Sequence, residues 1–339
     1  MKSLILRGPR DFVYEERPFP KASAQDVIVK IGAVCMCGSD VHAIRGDRTS
    51  FACPVVIGHE ASGTVVQVGE DVRSLAVGDT VALMPCISCG TCRACRKGRT
   101  NSCSSLQLYG VHRDGAMQEY LCTPAKYWLK IPFDVSFEAA AMLEPLTIGA
   151  HAVAKLDLQS GDRVLVIGAG PIGMSCAVSA RARGASVTMA ETNEGRRVFG
   201  REHFPFPILS PLSEDYLQEL NRLTDGELFD AVIDTTAAKV SMDNAWRYLT
   251  QGGKVVFVGI CNGTLEIDGR PFHMKEPALY TTRNSTRQDY EWVIQQWAAG
   301  SIDPTSFLTH TVSFDKAGKN LIEWVDNPDK VFKGVVSFN

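Results

Sequence analysis

At 339 residues, 45% hydrophobic and 22% charged, the chain is long enough for two folded domains and ordinary in composition for a globular protein. Its formal net charge of −3 offers no basic field, which argues against nucleic acid or an anionic membrane as partner and for a small molecule. Eleven cysteines, with no secretion signal in the opening "MKSLILRGPRDF", predict a cytoplasmic protein whose clustered thiols hold metal rather than form disulfides.

Along the chain, "VCMCGSDVHAIRGD" and "PVVIGHEASGTVVQVGEDV" are the first stretches to carry chemistry. Cys37, His59 and Glu60 offer soft and borderline ligands there, and Glu144 in "AAMLEPLTIGAH" offers a carboxylate far downstream. One thiolate, one imidazole and one carboxylate leave a fourth zinc position for an alcohol oxygen, which is the catalytic arrangement. With Cys37 and Glu144 ionised and His59 neutral, such a site is formally neutral. Glu60 as a further ligand would make it anionic, so Glu60 is expected beside the metal, as a ligand of the empty site or as a neighbour of the ligands. Each residue alone has a bland reading: a small buried thiol, a surface pair, a helix-capping carboxylate. Their joint presence beside a second cysteine cluster favours the site.

That cluster is "CISCGTCRACRKGRTNSC". Cys89, Cys92, Cys95 and Cys103 follow C-x2-C-x2-C-x7-C, with almost nothing apolar between them. Four thiolates suit a closed tetrahedral zinc that holds together a lobe, residues 86–104, unable to fold around a core of its own. An iron–sulfur cluster or unliganded thiols are the alternatives.

From Gly161 the text becomes "GDRVLVIGAGPIGMSCAVSARARGASVTMAETNEGRR": a strand, a glycine turn, a helix and a second strand. Gly168 permits the tight turn, Gly170 the approach of backbone to a pyrophosphate and Gly173 the packing of helix on strand, while Pro171 and Ile172 open the helix facing the phosphates. Glu191 ends the next strand, where a carboxylate accepts from ribose hydroxyls and repels a 2′-phosphate, so NAD is expected. Arg196 and Arg197 just beyond offer guanidinium groups that could accommodate a phosphate. "FDAVIDTT" and "GGKVVFVGI", the latter containing Val258, extend one parallel sheet, which the chain leaves near Arg283 in "TTRNST". The closing "KGVVSF" reads as a return to the first domain. The expected domains are 1–150 with 285–339, and 151–284.

Through "CGSD", "GHEASGTVVQVG", "GDTVAL", "CGTCRAC", "GVHRDGAMQEY", "EP" and "GAGPIG", the chain resembles, over nearly its whole length, the zinc-dependent medium-chain alcohol and polyol dehydrogenases. "GVHRDG", "TTRNST" and "KGVVSF" look most like the L-galactonate 5-dehydrogenase type of sugar-acid member. The resemblance implies an α/β protein with a GroES-like β-rich catalytic domain and a doubly wound, parallel-sheet Rossmann domain. It further implies two zinc ions per chain: a catalytic one on Cys37, His59 and Glu144 with Glu60 adjacent, and a structural one on the four clustered cysteines. Ser39 would bond the substrate oxygen and His42 would relay protons to solvent. Val258 and Arg283 are candidate cofactor contacts, and His112 and Arg283 candidate substrate contacts; Arg45 and Arg48 read better as surface charges. Cys35 and Cys53 read as packing residues. The expected reaction moves hydride from a secondary alcohol of an L-galactonate-like sugar acid or polyol to NAD, giving a ketone. Sorbitol-like polyols or threonine are alternative substrates, and a non-catalytic zinc and nucleotide sensor is the alternative of another class. A homo-dimer or homo-tetramer is expected from a sheet edge able to pair with another subunit.

Overall fold

A computed structural model describes residues 1–47 and 51–338. The chain divides into two compact units, one of Met1–Pro145, Thr286–Tyr290 and Phe307–Asn339, the other of Leu146–Ser285 and Glu291–Ser306. Residues 291–306, assigned from sequence to the first domain, thus group with the second. Trp292 in that segment takes the Arg183 guanidinium over its ring at 4.3 Å, anchoring it to the second unit.

The first unit is built on one strand, Asp26–Cys35, whose "DVIVKIGAVC" is buried at every position from Val27 to Cys35 except Lys30. It pairs antiparallel with Glu60–Val68, with Tyr120–Pro124 and with Gly334–Ser337, so the final residues do return to this unit. Thr80–Leu83 and Trp128–Lys130 extend one side of the sheet and His310–Ser313 the other. A second sheet orders Asp11–Glu16, Lys2–Gly8 and Val55–Val56. Between them lies a core that includes Leu4, Leu6, Ile31, Val34, Leu83 and Trp128. Each such side chain contributes about 1.5–3 kcal/mol on burial.

Register then sets the site. Cys35 lies opposite Glu60 on one side and Val335 on the other. Cys37, the His59–Glu60 pair and Lys333, dispersed over nearly 300 residues of sequence, are therefore delivered to the same end of one sheet.

The second unit holds six parallel strands, Arg163–Ile167, Ser186–Ala190, Ile208–Leu209, Phe229–Asp234, Leu249–Phe257 and Ala278–Thr281. Numbered along the chain, they lie in the order 3-2-1-4-5-6. Continuous apolar runs such as "RVLVI" suit strands covered on both faces by helices. The order reverses next to the first strand, and at its carboxyl end the chain turns into the helix Pro171–Ala182. A crevice for a ligand opens at that switch point.

Candidate functional site

Cys37 caps the helix Gly38–Arg45 from an extended backbone, placing its thiol at the amide end. One turn in, Asp40 accepts from the Cys37 amide at 3.0 Å, and its other oxygen lies 3.8 Å from His59 Nδ1. The donor atoms of Cys37, His59 and Glu60 all lie within 4.8 Å of one another. Glu144, in the first turn of the helix Leu143–Ala154, is buried outside this trio, yet its charge acts on His59. Glu60, expected beside the metal, thus lies within ligand distance of the Cys37 and His59 donors.

Around this point four acids, Cys37, Asp40, Glu60 and Glu144, share one lysine. Lys333 is 4% exposed; its ammonium pairs with the Glu60 carboxylate and donates to the Met36 carbonyl at 3.1 Å. Burial pushes the Glu144 carboxyl up to about 7 and raises Asp40 as well. Burial alone would lower His59, but the charges of Cys37 and Asp40 hold it well above the ordinary imidazole value. Asp40 Oδ1 and His59 Nδ1 are buried without a hydrogen-bond partner. A surplus of buried negative charge around thiolate, imidazole and carboxylate donors is what a divalent cation neutralises, and this donor set fits zinc.

Ser39 and His42 are three residues apart on the helix, so they share a face, and His42 Nδ1 lies 2.8 Å from Asp47 Oδ1. Arg45 donates to the Val325 carbonyl at 2.9 Å and is a structural anchor; Arg48 lies outside the described residues. His112 is exposed and accepts from the Leu108 amide at 3.1 Å, which ties it to its own loop. Cys35 is buried as expected, whereas Cys53 is exposed and is not a packing residue.

In the lobe, Cys89, Cys92, Cys95 and Cys103 bring their sulfur atoms together, with separations of 4.0 Å for Cys89 to Cys95, 4.0 Å for Cys92 to Cys103 and 3.5 Å for Cys89 to Cys103. A tetrahedron with bonds of about 2.3 Å has edges of about 3.8 Å. Backbone amides of Cys89 and Cys92 donate to the sulfurs of Cys103 and Cys89, both at 3.3 Å, as thiolates require. The strands Cys86–Ile87 and Gln107–Leu108 close the base of the lobe.

In the second unit a cavity of about 740 Å³ is lined by Gly168, Gly170, Pro171, Ile172, Gly173, Glu191 and Arg196, among others. Gly168 has a φ of +98°, and a Cβ on Gly173 would stand 1.9 Å from the Gly168 carbonyl oxygen. Gly170 differs: the one atom near a Cβ there is Arg196 Nη1 at 3.7 Å, so its face is open to a ligand. No side chain caps this helix, leaving its first amides for phosphate oxygens. The Glu191 carboxylate is buried and accepts from the amides of Ala169 and Asn193, both at 2.8 Å. Arg196 Nη1 lies 3.9 Å from it, while Arg197 is used up on the Glu191 and Thr192 carbonyls. Val258 gives its amide to the Asp234 carbonyl, and Arg283 is exposed past the sixth strand; neither lines the cavity.

Asp40 and Lys333 belong to the site without having been singled out from the sequence. The acid three residues after Cys37 carries the spacing of a helix-capping pair and was legible. Nothing local marks Lys333.

A thiol, imidazole and carboxylate trio poor in positive charge, a four-thiol lobe and a dinucleotide cradle define a zinc-type, nicotinamide-linked dehydrogenase. The chain matches the alcohol dehydrogenase GroES-like domain over residues 23–133 and the zinc-binding dehydrogenase family over residues 171–299. It is 37% identical to the L-galactonate-5-dehydrogenase of Escherichia coli, over 100% of this chain and 99% of the relative. Its fold matches the RspB alcohol dehydrogenase of Escherichia coli complexed with NADH, at a TM-score of 0.91 and 30% identity, over 100% and 99% of the two chains. It also matches a zinc-binding dehydrogenase of Sinorhizobium meliloti bound to NADP, at a TM-score of 0.90 and 27% identity, over 99% and 98%. The protein belongs to the zinc-type medium-chain alcohol dehydrogenases, oxidoreductases that act on CH–OH groups. Among the described residues no helix is long and apolar enough to cross a membrane.

Proposed function

We propose that the protein oxidises a secondary alcohol of an L-galactonate-like sugar acid or a polyol to a ketone, reducing NAD, in the cytoplasm. The convergence of Cys37, His59 and the buried acids supports this reading most directly. Cys37, His59 and Glu144 hold the catalytic zinc with Glu60 adjacent, and Cys89, Cys92, Cys95 and Cys103 hold the structural one. When bound, zinc supplies Lewis acidity that makes an alcohol hydroxyl easier to deprotonate.

The chain's own task is to move that proton and to position the two reactants. Ser39 takes the hydroxyl proton as it gives its own to His42 Nε2, and His42 releases the proton on Nδ1 towards solvent through its contact with the exposed Asp47 carboxylate. The open face of Gly170 and the free amides of the following helix receive the pyrophosphate. Glu191 selects NAD, because a 2′-phosphate would sit against a buried carboxylate whose nearest guanidinium, on Arg196, is already drawn towards it. The likeness to L-galactonate-5-dehydrogenase over the full chain favours a sugar acid over a simple alcohol.

The test is the appearance of NADH with a panel of sugar acids, polyols and threonine, run in parallel with NADP. Turnover with L-galactonate or a related acid and NAD is expected. No turnover on the whole panel at full zinc content would leave the non-catalytic sensor as the reading.

A further inference from the structure

Glu60 lies within ligand reach of the catalytic metal's site beside Cys37 and His59, so something must keep it from closing the vacancy the substrate needs. We propose that Lys333 is the positioning residue that keeps this vacancy open, by holding the Glu60 carboxylate in an ion pair.

Both partners are sealed from water: Lys333 is 4% exposed and Glu60 1%. The ammonium has few options, since its contacts are the Glu60 carboxylate and the Met36 carbonyl at 3.1 Å. The backbone fixes this arrangement as well, because the Met36 amide donates to the Gly334 carbonyl at 2.9 Å and Cys35 sits between Glu60 and Val335 in the sheet. Lys333 is thus built into the strand pairing that delivers Cys37 and His59. A buried carboxylate without its counter-ion seeks the nearest cation. With Lys333 gone, that cation is the metal, and a second carboxylate on it fills the open position and adds a negative charge that disfavours an alkoxide. With Lys333 present, Glu60 and the lysine cancel, and the metal keeps a neutral ligand set with room for an oxygen.

The inference rests on the assignment of Cys37, His59 and Glu144 to the metal, so the experiment reads that assignment separately. Enzyme free of dinucleotide is loaded with Co²⁺ at the catalytic site, metal content is measured, and imidazole is titrated while the visible spectrum of the metal is followed. Wild-type protein shows a saturable spectral change; its absence would fail the site assignment and not the role of Lys333. In Lys333→Met the affinity for imidazole falls at least tenfold at full metal content, and Lys333→Arg keeps it. The double variant Lys333→Met with Glu60→Gln leaves no lone buried charge, so it folds even where the single variant does not, and it binds imidazole within about threefold of wild type. A lysine needed only to neutralise Glu60 for folding would lose fold or metal together with imidazole binding, whereas here imidazole binding falls while the metal content stays full. Unchanged imidazole binding in Lys333→Met, or lost binding in the double variant at full metal content, overturns the proposal.

Discussion

Gly173→Ala and Gly170→Ala, three residues apart on the same turn, separate stability from binding. A Cβ at Gly173 would stand 1.9 Å from the Gly168 carbonyl oxygen and 3.1 Å from Thr235 Oγ1. Carbon and oxygen settle at roughly 3.3 Å, so helix and strand must part by more than an ångström, and backbone against backbone leaves no flexible side chain to yield. The cost lies at the upper end of overpacking, about 3 kcal/mol, which lowers the melting temperature of a unit of this size by roughly 6–12 °C. At Gly170 the backbone is extended, with φ −76°, and a Cβ meets only Arg196 Nη1 at 3.7 Å. That variant should melt within about 2 °C of wild type, the loss being no more than that of an N-cap alanine. Its methyl group, however, occupies the approach of the pyrophosphate, and NADH binding should weaken tenfold or more, about 1.4 kcal/mol. Differential scanning calorimetry and NADH fluorescence titration read the two quantities. Native stability in Gly173→Ala, or native NADH affinity in Gly170→Ala, would refute the assignment of separate roles to the glycines.

Further expectations concern the lobe, the relay and the assembly. Cys103→Ser should lower zinc from two to one per chain by metal analysis, with the lobe becoming protease-sensitive; two zinc ions in the variant would contradict the four-thiol site. The Cys92 amide draws the Cys89 thiol down to about 5, and the Cys95 amide draws Cys92 to about 7. Thiols lowered in the fold favour it above their unfolded value, a contribution lost as pH falls through the folded one. Cys95, raised to about 11 by burial and its neighbouring sulfurs, goes the other way, so protons compete for this site over a wide range: zinc retention against a chromophoric chelator should fall progressively as pH is lowered to about 5, and a flat profile would count against this. His42→Gln should slow alcohol oxidation roughly a hundredfold, with partial recovery in small amine buffers; turnover equal to wild type would remove His42 from the relay. The sheet of the second unit ends at Ala278–Thr281, where Leu279 and Tyr280 are 39% and 37% exposed, and this edge is expected to pair with a second copy. Light scattering should give a dimer or tetramer, and a monomeric mass would end that expectation.

What the sequence determined by itself is whatever is written within a few residues. The four lobe cysteines span fifteen residues, and their spacing alone restricts the ring they can close. Gly168, Gly170 and Gly173 lie on one turn, so local sterics give each its role. The apolar runs around "FDAVIDTT" and "GGKVVFVGI" likewise pointed to the parallel sheet. The tertiary structure decided what depends on strand register. Only the pairing of Cys35 with Glu60 on one flank and Val335 on the other brings Lys333 to Glu60, and no local pattern connects residues 60 and 333. The same pairing brings Glu60 within ligand reach of Cys37 and His59, and tertiary contact ties Arg45, read as a surface charge, to the Val325 carbonyl. Side-chain chemistry is carried by residue type, but the field each group feels depends on which strands lie side by side, and that is settled only when the chain closes its sheets.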